Sequence, residues 1–288
     1  MAQTRRVPTV RLPYREPMQL SALLDFLGAH AVPRRADYRD GCYRTVVDAA
    51  GGPALVTMRG GDGTVTCRLR LADPADEPDV LERVRRLLDL DADPTAVDTA
   101  LAADEQLAPL IAKRPGLRVP GALDAFETTI GTIVGQQISV RGACTVLGRI
   151  VAAHGRPAFT DEPWLCFPTP QALAVATDDS LPMPRARARS VRAVAAAFAD
   201  GFALDATADA RAALLALPGV GPWTADYLRL RVTGDKDVLL DGDLVVRRAA
   251  GDLELDLGDR RPDWSPWRSY VTFHLWAHAY ADLWSARP

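Results

Sequence analysis

Basic charge is not in surplus in this sequence. Its 34 Lys and Arg face 37 Asp and Glu, for a formal net charge of −3, so the overall positive balance that often marks a nucleic-acid binder is missing. The deficit is uneven. Acids crowd residues 73–105, whereas Arg185, Arg187, Arg189 and Arg192 form a basic run, and local basic surface can hold phosphate whatever the sum. Cysteine is scarce: Cys42, Cys67, Cys144 and Cys166 are the whole complement, and no two stand at a C-x-x-C spacing. That excludes a recognisable zinc motif and a disulfide framework, leaving scattered reduced thiols. Long apolar runs are absent, so no segment reads as a membrane span. Residues 1–10 are polar and basic, without the apolar core of a signal peptide. The expectation is a cytoplasmic protein with no membrane partner.

What is present is ordinary for a globular chain. Of 288 residues, 25% are charged and 48% apolar, enough for one large domain or two moderate ones. Residues 20–31 carry apolar groups at helical spacing, with Ser21 as a candidate N-cap. Three runs rich in β-branched residues follow, at 43–47, 54–59 and 64–71, separated by Gly-Gly-Pro and Gly-Gly-Asp-Gly turns. They predict a small antiparallel meander. Residues 78–88 predict an amphipathic helix. Beyond about residue 100 the strand signal disappears, and 123–134, 140–154, 169–176, 187–200, 208–216, 222–232 and 267–283 all favour helix. The fold class expected is α+β: an N-terminal α/β domain (1–100) with a small antiparallel sheet, then an all-α domain (101–288) in two helical subdomains.

The most informative stretch is 216–248. It opens with Leu217-Pro218-Gly219-Val220-Gly221 between two predicted helices. Two glycines one residue apart permit a tight turn, and Pro222 suits the first turn of the next helix. The free amides there favour an anion such as phosphate. A ligand-free helix connector is the competing reading.

Leu217-Pro218-Gly219-Val220-Gly221 with Thr224-Ala225, followed by Asp243 at the start of another predicted helix, resembles the helix-hairpin-helix DNA glycosylase superfamily (hairpin 217–225, catalytic loop 236–243). The resemblance is nearest to the 3-methyladenine DNA glycosylase II branch and extends over nearly the whole chain. Asp124-Ala125-Phe126-Glu127, Gly135-Gln136-Gln137-Ile138-Ser139-Val140 and His274-Leu275-Trp276 carry it further. It implies a monomeric DNA repair enzyme of base excision with double-stranded DNA carrying a damaged base as partner. No obligate protein partner and no required cofactor are implied, apart from a monovalent cation assisting the hairpin.

The resemblance also implies the roles of particular residues. Asp243 would be the catalytic carboxylate, stabilising positive charge on the sugar as the N-glycosidic bond breaks. Capping a helix is the other common task of such an Asp. Trp223 stands where bifunctional relatives have the Lys that forms a Schiff base, so base removal without AP lyase activity is expected. Trp223, Tyr227, Trp276 and Phe26 would line an aromatic pocket attracting cationic alkylated purines; core packing is their alternative. Gly219, Gly221 and Thr224 would hold DNA phosphate. Gln137 would fill the gap left by the flipped nucleotide, where relatives often carry Leu, and Leu244 replaces an aromatic common after the acid. His274 and His278 stand at i, i+4, yet lack the Glu and third ligand of a zinc motif, so no metal is expected. Asp124 and Glu127 suit a helix start. The rival readings are a non-enzymatic hairpin DNA-binding protein and a glycosylase for a different damaged base. The methyl-acceptor and regulatory domains of a regulator fused to a glycosylase are not expected within these 288 residues.

Overall fold

Residues Thr64–Leu71 bury every second side chain, Val65, Cys67, Leu69 and Leu71, as a strand with one packed face does. In the computed structural model, which describes residues 8–204, 209–258 and 261–280, this strand is β5 of a five-stranded antiparallel sheet. The others are Thr9–Pro13 (β1), Ala36–Arg39 (β2), Cys42–Ala49 (β3) and Gly52–Gly61 (β4), in the order β1-β5-β4-β3-β2. The expected meander forms its centre. The two edges were not anticipated: β1 ends in Pro and β2 is four residues long with two charges, as suits edges that must not recruit further strands.

Helix α1 (Leu20–Ala29) lies against the sheet. Its N-cap is Gln19, not Ser21, which sits inside the first turn. Helix α2 (Glu77–Leu88) ends at Asp89, held left-handed at φ 52°. Two short helices went unpredicted, α3 (Pro94–Leu101) and α4 (Ala108–Lys113). The start of α3 was marked nonetheless: Asp93 accepts the Ala96 N–H at 3.0 Å and Pro94 opens the helix, a common pairing of cap and first residue.

From here the chain is helical: α5 (Ala125–Gly135), α6 (Val140–His154), α7 (Pro170–Ala174), α8 (Arg185–Ala199), α9 (Ala210–Leu215), α10 (Pro222–Leu228), α11 (Leu244–Asp252) and α12 (Arg268–Ala279). The anticipated start at 208 and end at 281–283 lie outside the described residues. Between α10 and the loop after it runs a π-helical segment, Arg229–Thr233. Among the described residues no helix is long and apolar enough to cross a membrane.

The buried side chains gather mainly in two cores. The first joins the sheet and α1–α4 to the C-terminal part of the chain, including Leu230, Val238–Leu240, Val246, Phe273 and Leu275. The second lies within the intervening helices, from Phe126 to Leu228. A buried ion pair ties them together. Arg35, 2% exposed, donates from Nε and Nη2 to Glu127 at 2.5–3.1 Å. Glu127 also sits in the first turn of α5, where Asp124 caps by accepting its N–H at 2.7 Å. The helix-start expectation therefore holds for both acids, and Glu127 has this second task. The four cysteines are unpaired; burial pushes the Cys67 and Cys166 thiols up to about 12, as for inert core thiols.

Candidate active site

The hairpin between α9 and α10 is fixed from below and open above. Leu217 and Val220 are buried in the second core, whereas Gly219 and Gly221 are exposed. The two glycines do different things. Gly219 adopts φ +85°, and a Cβ there would stand 2.4 Å from Ser190 Oγ of α8, so both conformation and space require glycine. Gly221 has φ −92°, open to any residue, and nothing within 4 Å of a Cβ position. The expectation that both glycines serve the turn is thus corrected: Gly221 leaves an unobstructed face rather than permitting a bend. The Gly219, Gly221 and Thr224 amides have no acceptor among the described residues. The Thr224 side chain faces inward, 3% exposed, and its hydroxyl accepts from Gln136 Nε2 at 3.1 Å.

Gln136 also donates to the Gly219 carbonyl at 3.0 Å, tying the hairpin to the turn between α5 and α6. At the tip of that turn Gln137 is exposed at φ +61°, an uncommon conformation for a side-chain-bearing residue. Its neighbour Ile138 is 41% exposed. The apolar wedge candidate thus stands one residue beyond the expected one. Of the basic run, Arg192 is spent on Asp178 at 2.7 Å and Arg185 lies 3.8 Å from the same acid, whereas Arg189 is exposed. Ser190 places this helix directly beside the hairpin.

The loop 236–243 is held by α12 as a strand would be, with hydroxyls as partners. Val238 N–H donates to Ser269 Oγ at 3.0 Å, Leu240 N–H to Thr272 Oγ1 at 3.2 Å, and Ser269 N–H to the Lys236 carbonyl at 2.9 Å. Its far end is anchored on Asp89. That carboxylate accepts from Lys236 Nζ at 2.8 Å, Tyr270 O–H at 2.8 Å and Val119 N–H at 3.2 Å.

The loop delivers Asp243, half-buried at the N-cap of α11. Oδ1 accepts the Val245 and Val246 amides, each at 2.9 Å, and the Trp276 indole N–H at 3.2 Å; Oδ2 accepts the Trp223 indole N–H at 2.9 Å. The capping alternative is thus met, and the same carboxylate that caps α11 is the one held by both indoles. Four donors fix the carboxylate, and Oδ2 keeps capacity to accept once more. Its neighbours are otherwise employed. Asp237 pairs with Arg268 at 2.6 Å, and that contact holds it below the usual carboxylate range. Asp241 lines a cavity of about 280 Å³ with Arg211, Trp223, Asp226 and Arg247.

From Asp243 two rows of aromatic rings lead inward. One runs from Trp223 to Tyr227, stacked at 5.2 Å and 6°. The other runs from Trp276 to Phe273, edge-on at 5.0 Å, and on to Phe26 at 5.9 Å. Tyr227 and Trp276 approach across the rows at 6.1 Å. All four expected pocket residues thus belong to one aromatic cluster, of which Trp223 and Trp276 touch the acid, while Phe26, 8% exposed, also packs in the first core as the alternative reading had it. The rows converge on Arg231, whose Nη1 donates to the Tyr227 hydroxyl at 2.6 Å and whose guanidinium lies 5.9 Å from the Phe26 ring centre. Nothing in sequence spacing marked Arg231. His274 is fully buried, and burial pushes it down to about 3; no group of three His, Cys, Asp or Glu suited to a metal occurs among the described residues. Leu244, next to the acid, is 81% exposed.

Comparison with known proteins gives this geometry a context. The family model described as the AlkA N-terminal domain matches residues 9–124. The chain is 41% identical over 279 residues to the probable bifunctional transcriptional activator/DNA repair enzyme AlkA of Mycobacterium tuberculosis, with 93% of this chain and 56% of that protein covered. It therefore spans little more than half the length of that relative. It is 32% identical over 283 residues to DNA-3-methyladenine glycosylase 2 of Escherichia coli, covering 95% and 97%. Among solved structures, the 3-methyladenine DNA-glycosylase from Archaeoglobus fulgidus shares the fold at a TM-score of 0.79, with 20% identity and 94% and 98% coverage. The Clostridium acetobutylicum 8-oxoguanine glycosylase/lyase does so at 0.74, with 17% identity and 95% and 97% coverage.

Proposed function

The chain belongs to the DNA-3-methyladenine glycosylase 2 (AlkA) family, and from that premise we propose that it is a monofunctional DNA glycosylase excising alkylated purines from duplex DNA. The observation that carries the reading is the placement of Asp243, fixed by two backbone amides and two indoles at the mouth of an aromatic cluster.

A base stacked in a duplex is out of reach, so the nucleotide is extruded. The exposed amides of Gly219 and Gly221 take a backbone phosphate, and Gln137 or Ile138 occupies the gap in the stack. The aromatic rows receive the base; a cationic purine gains from ring quadrupoles roughly 0.5–2 kcal/mol per good contact. As the C1′–N bond breaks, positive charge grows on the sugar. Asp243 faces that charge with an orientation already set, so little reorganisation is needed. Its remaining acceptor position on Oδ2 orients the attacking water and takes its proton. No amine stands where a Schiff base would form, because the position holds Trp223, and strand cleavage is not part of the proposed activity.

No cofactor has a part in these steps. A monovalent cation at the hairpin would meet the Leu217 and Gly219 carbonyls, each of which accepts one hydrogen bond, from Val220 N–H and from Gln136, and keeps a second lone pair.

The test incubates the protein with methylated duplex DNA and measures free 3-methyladenine and 7-methylguanine beside the Asp243→Asn variant. Release by the wild type and loss in the variant is expected. Equal release by both removes Asp243 from the mechanism, and release by neither returns the chain to a DNA-binding role or another lesion.

A further inference from the structure

A second cavity, of about 250 Å³, opens where the end of α2, residues 119–122, the π-helical segment and the start of loop 236–243 meet. It lies away from the hairpin. Gly219 and Gly221 precede the first turn of α10, whereas Leu230 and Gly234, which line the cavity, belong to the other end of the same helical run. At roughly 1.5 Å of rise per residue the two ends stand about 15 Å apart or more. Four cations line the cavity, Arg85, Arg86, Arg231 and Lys236, with two carboxylates, Asp89 and Asp91. Both acids are committed. Asp91 accepts from Arg85 Nη2 and, at 3.1 Å, from its Nε; Asp89 accepts from Lys236 Nζ at 2.8 Å, and from Tyr270 O–H and Val119 N–H. Arg86, 58% exposed, comes no nearer than 4.0 Å to Glu82. Arg231 donates from Nη1 to the Tyr227 hydroxyl and from Nη2 to the Gly121 carbonyl at 3.0 Å, while its Nε is buried without a partner. Among the described residues no carboxylate pairs with Arg231. Two guanidinium charges therefore border the cavity without a close counter-charge, and a partly buried charge is costly until one is supplied. Gly234, exposed at φ +71° with nothing within 4 Å of a Cβ position, leaves one side of the opening clear.

We propose that this cavity is a binding site for a small oxyanion of the phosphate type, taken from solution. Its volume falls below the roughly 300–1,000 Å³ of pockets that take a drug-sized ligand, so the occupant is small. Guanidinium forks match the edges of a tetrahedral oxyanion, with two parallel N–H donors each. Arg86 and Arg231 supply the uncommitted charge. Arg85 adds to it, because its pair with the 68% exposed Asp91 is of the weakly held surface kind. Asp89 occupies one of the three Lys236 donors, and the other two remain for a ligand. The two acids repel an anion little, since each has its own cation in contact. A bound oxyanion joins the end of α2 to the π-helical segment and to the start of the loop, a clamp beside the one Asp89 already makes. It binds the folded chain and not the unfolded one, and so raises the melting temperature. The phosphate of a duplex held at the hairpin belongs to the other end of α10. Binding in the cavity does not depend on whether the chain excises bases.

The experiment titrates the protein with inorganic phosphate in a calorimeter and follows melting in 10 mM phosphate against chloride at equal ionic strength. Wild type is compared with Arg86→Ser, Arg231→Met and Gly221→Asp. The wild type is expected to bind with a Kd of about 0.1–1 mM and to gain about 3 °C or more in melting temperature. Arg86→Ser should weaken binding about 10-fold and Arg231→Met at least as much. Arg86 is exposed, so its variant folds even where removal of Arg231 disturbs Tyr227. Gly221→Asp should bind phosphate as the wild type does. Phosphate also stabilises proteins by exclusion from their surface; a melting gain shared equally by all four proteins with no heat of binding is that effect, and overturns the proposal. So does unchanged affinity in Arg86→Ser or in Arg231→Met. Loss of binding in Gly221→Asp places the anion at the hairpin and likewise overturns it. The titration is repeated with saturating undamaged duplex. Unaltered affinity supports a solute from solution, whereas displacement of phosphate by the duplex gives the cavity to the DNA backbone and sinks the proposed source.

Discussion

On the proposed activity, the two cores of the molecule divide the labour. The second core, built from Phe126 to Leu228, presents main chain: exposed amides at Gly219 and Gly221 and the raised turn at Gln137 and Ile138. The first core presents side chains: Asp243 on α11, Trp276 on α12 and Phe26 on α1. Helix α10 belongs to both, burying Ala225 and Leu228 in the second core while Tyr227 packs against the first. The difference follows from what each task needs. Gripping a repetitive backbone asks for N–H groups and open space and is indifferent to sequence. Chemistry at one carbon asks for a single acid held within a narrow orientation. Each half can therefore be disturbed separately.

The sharpest separation is Asp243→Asn. An amide keeps an acceptor for the cap and should lower the excision rate by about 10²–10⁴-fold, with affinity for an abasic-site duplex unchanged in a gel-shift titration. A parallel loss of affinity would mean that the two cores are not independent. The joint between them is tested by Glu127→Gln. It leaves Arg35 buried beside a neutral amide and should cost about 3–5 kcal/mol in denaturant unfolding; a loss below about 1 kcal/mol would show that Asp48, 3.4 Å from Arg35 Nη1, suffices. In the gripping half, Gly221→Asp meets nothing within 4 Å of its Cβ, so the melting temperature should hold. A carboxylate facing phosphate should weaken duplex binding by about 10-fold, most clearly at low salt. Ile138→Ala should slow excision from duplex roughly 3–10-fold while leaving excision from single strands unchanged, and Gln137→Ala less. The reverse order would return the wedge to Gln137.

The chemistry half also carries an acid-sensitive point. His274 is held neutral, its proton affinity pushed from an ordinary 6.5 down to about 3 by burial. As pH falls the unfolded chain takes the proton first. The stabilising contribution is therefore full above about pH 6.5 and is lost progressively between 6.5 and 3. His274→Leu should flatten that decline in a melting series, with the smallest effect of the set at neutral pH. An unchanged slope would place the acid sensitivity elsewhere.

Much of this division could be read in advance, and the reasons differ by element. Helix α6 and strand β5 were legible to the residue because their patterns are long and strict. The edge strands β1 and β2 and the helices α3 and α4 were not, because four to eight residues carry too little periodicity. Gly219 and Asp243 were legible because hairpin and acid occur together. Arg231 was hidden: an arginine in an amphipathic helix reads as a solvated face, and only the fold sets it against Tyr227 and the Phe26 ring. Glu127 was read as a helix-start charge, which it is, but its partner Arg35 lies in a region that no spacing rule connects to it. Gly221 shows the converse, a glycine whose meaning is the space above it rather than its backbone angles.

The contacts of Asp89 bear on how this protein could be recombined. Its carboxylate joins the end of α2 to Lys236 and Tyr270, so the sheet-bearing portion acts as a gauge against which the acid-bearing loop is aligned. A chimera that exchanged residues 8–113 for the counterpart in a distant relative would inherit a gauge cut for another loop. To regain alignment it would have to restore a carboxylate at the end of the exchanged α2 for Lys236 and Tyr270 to meet, a dependence that ties the two ends of the polypeptide together.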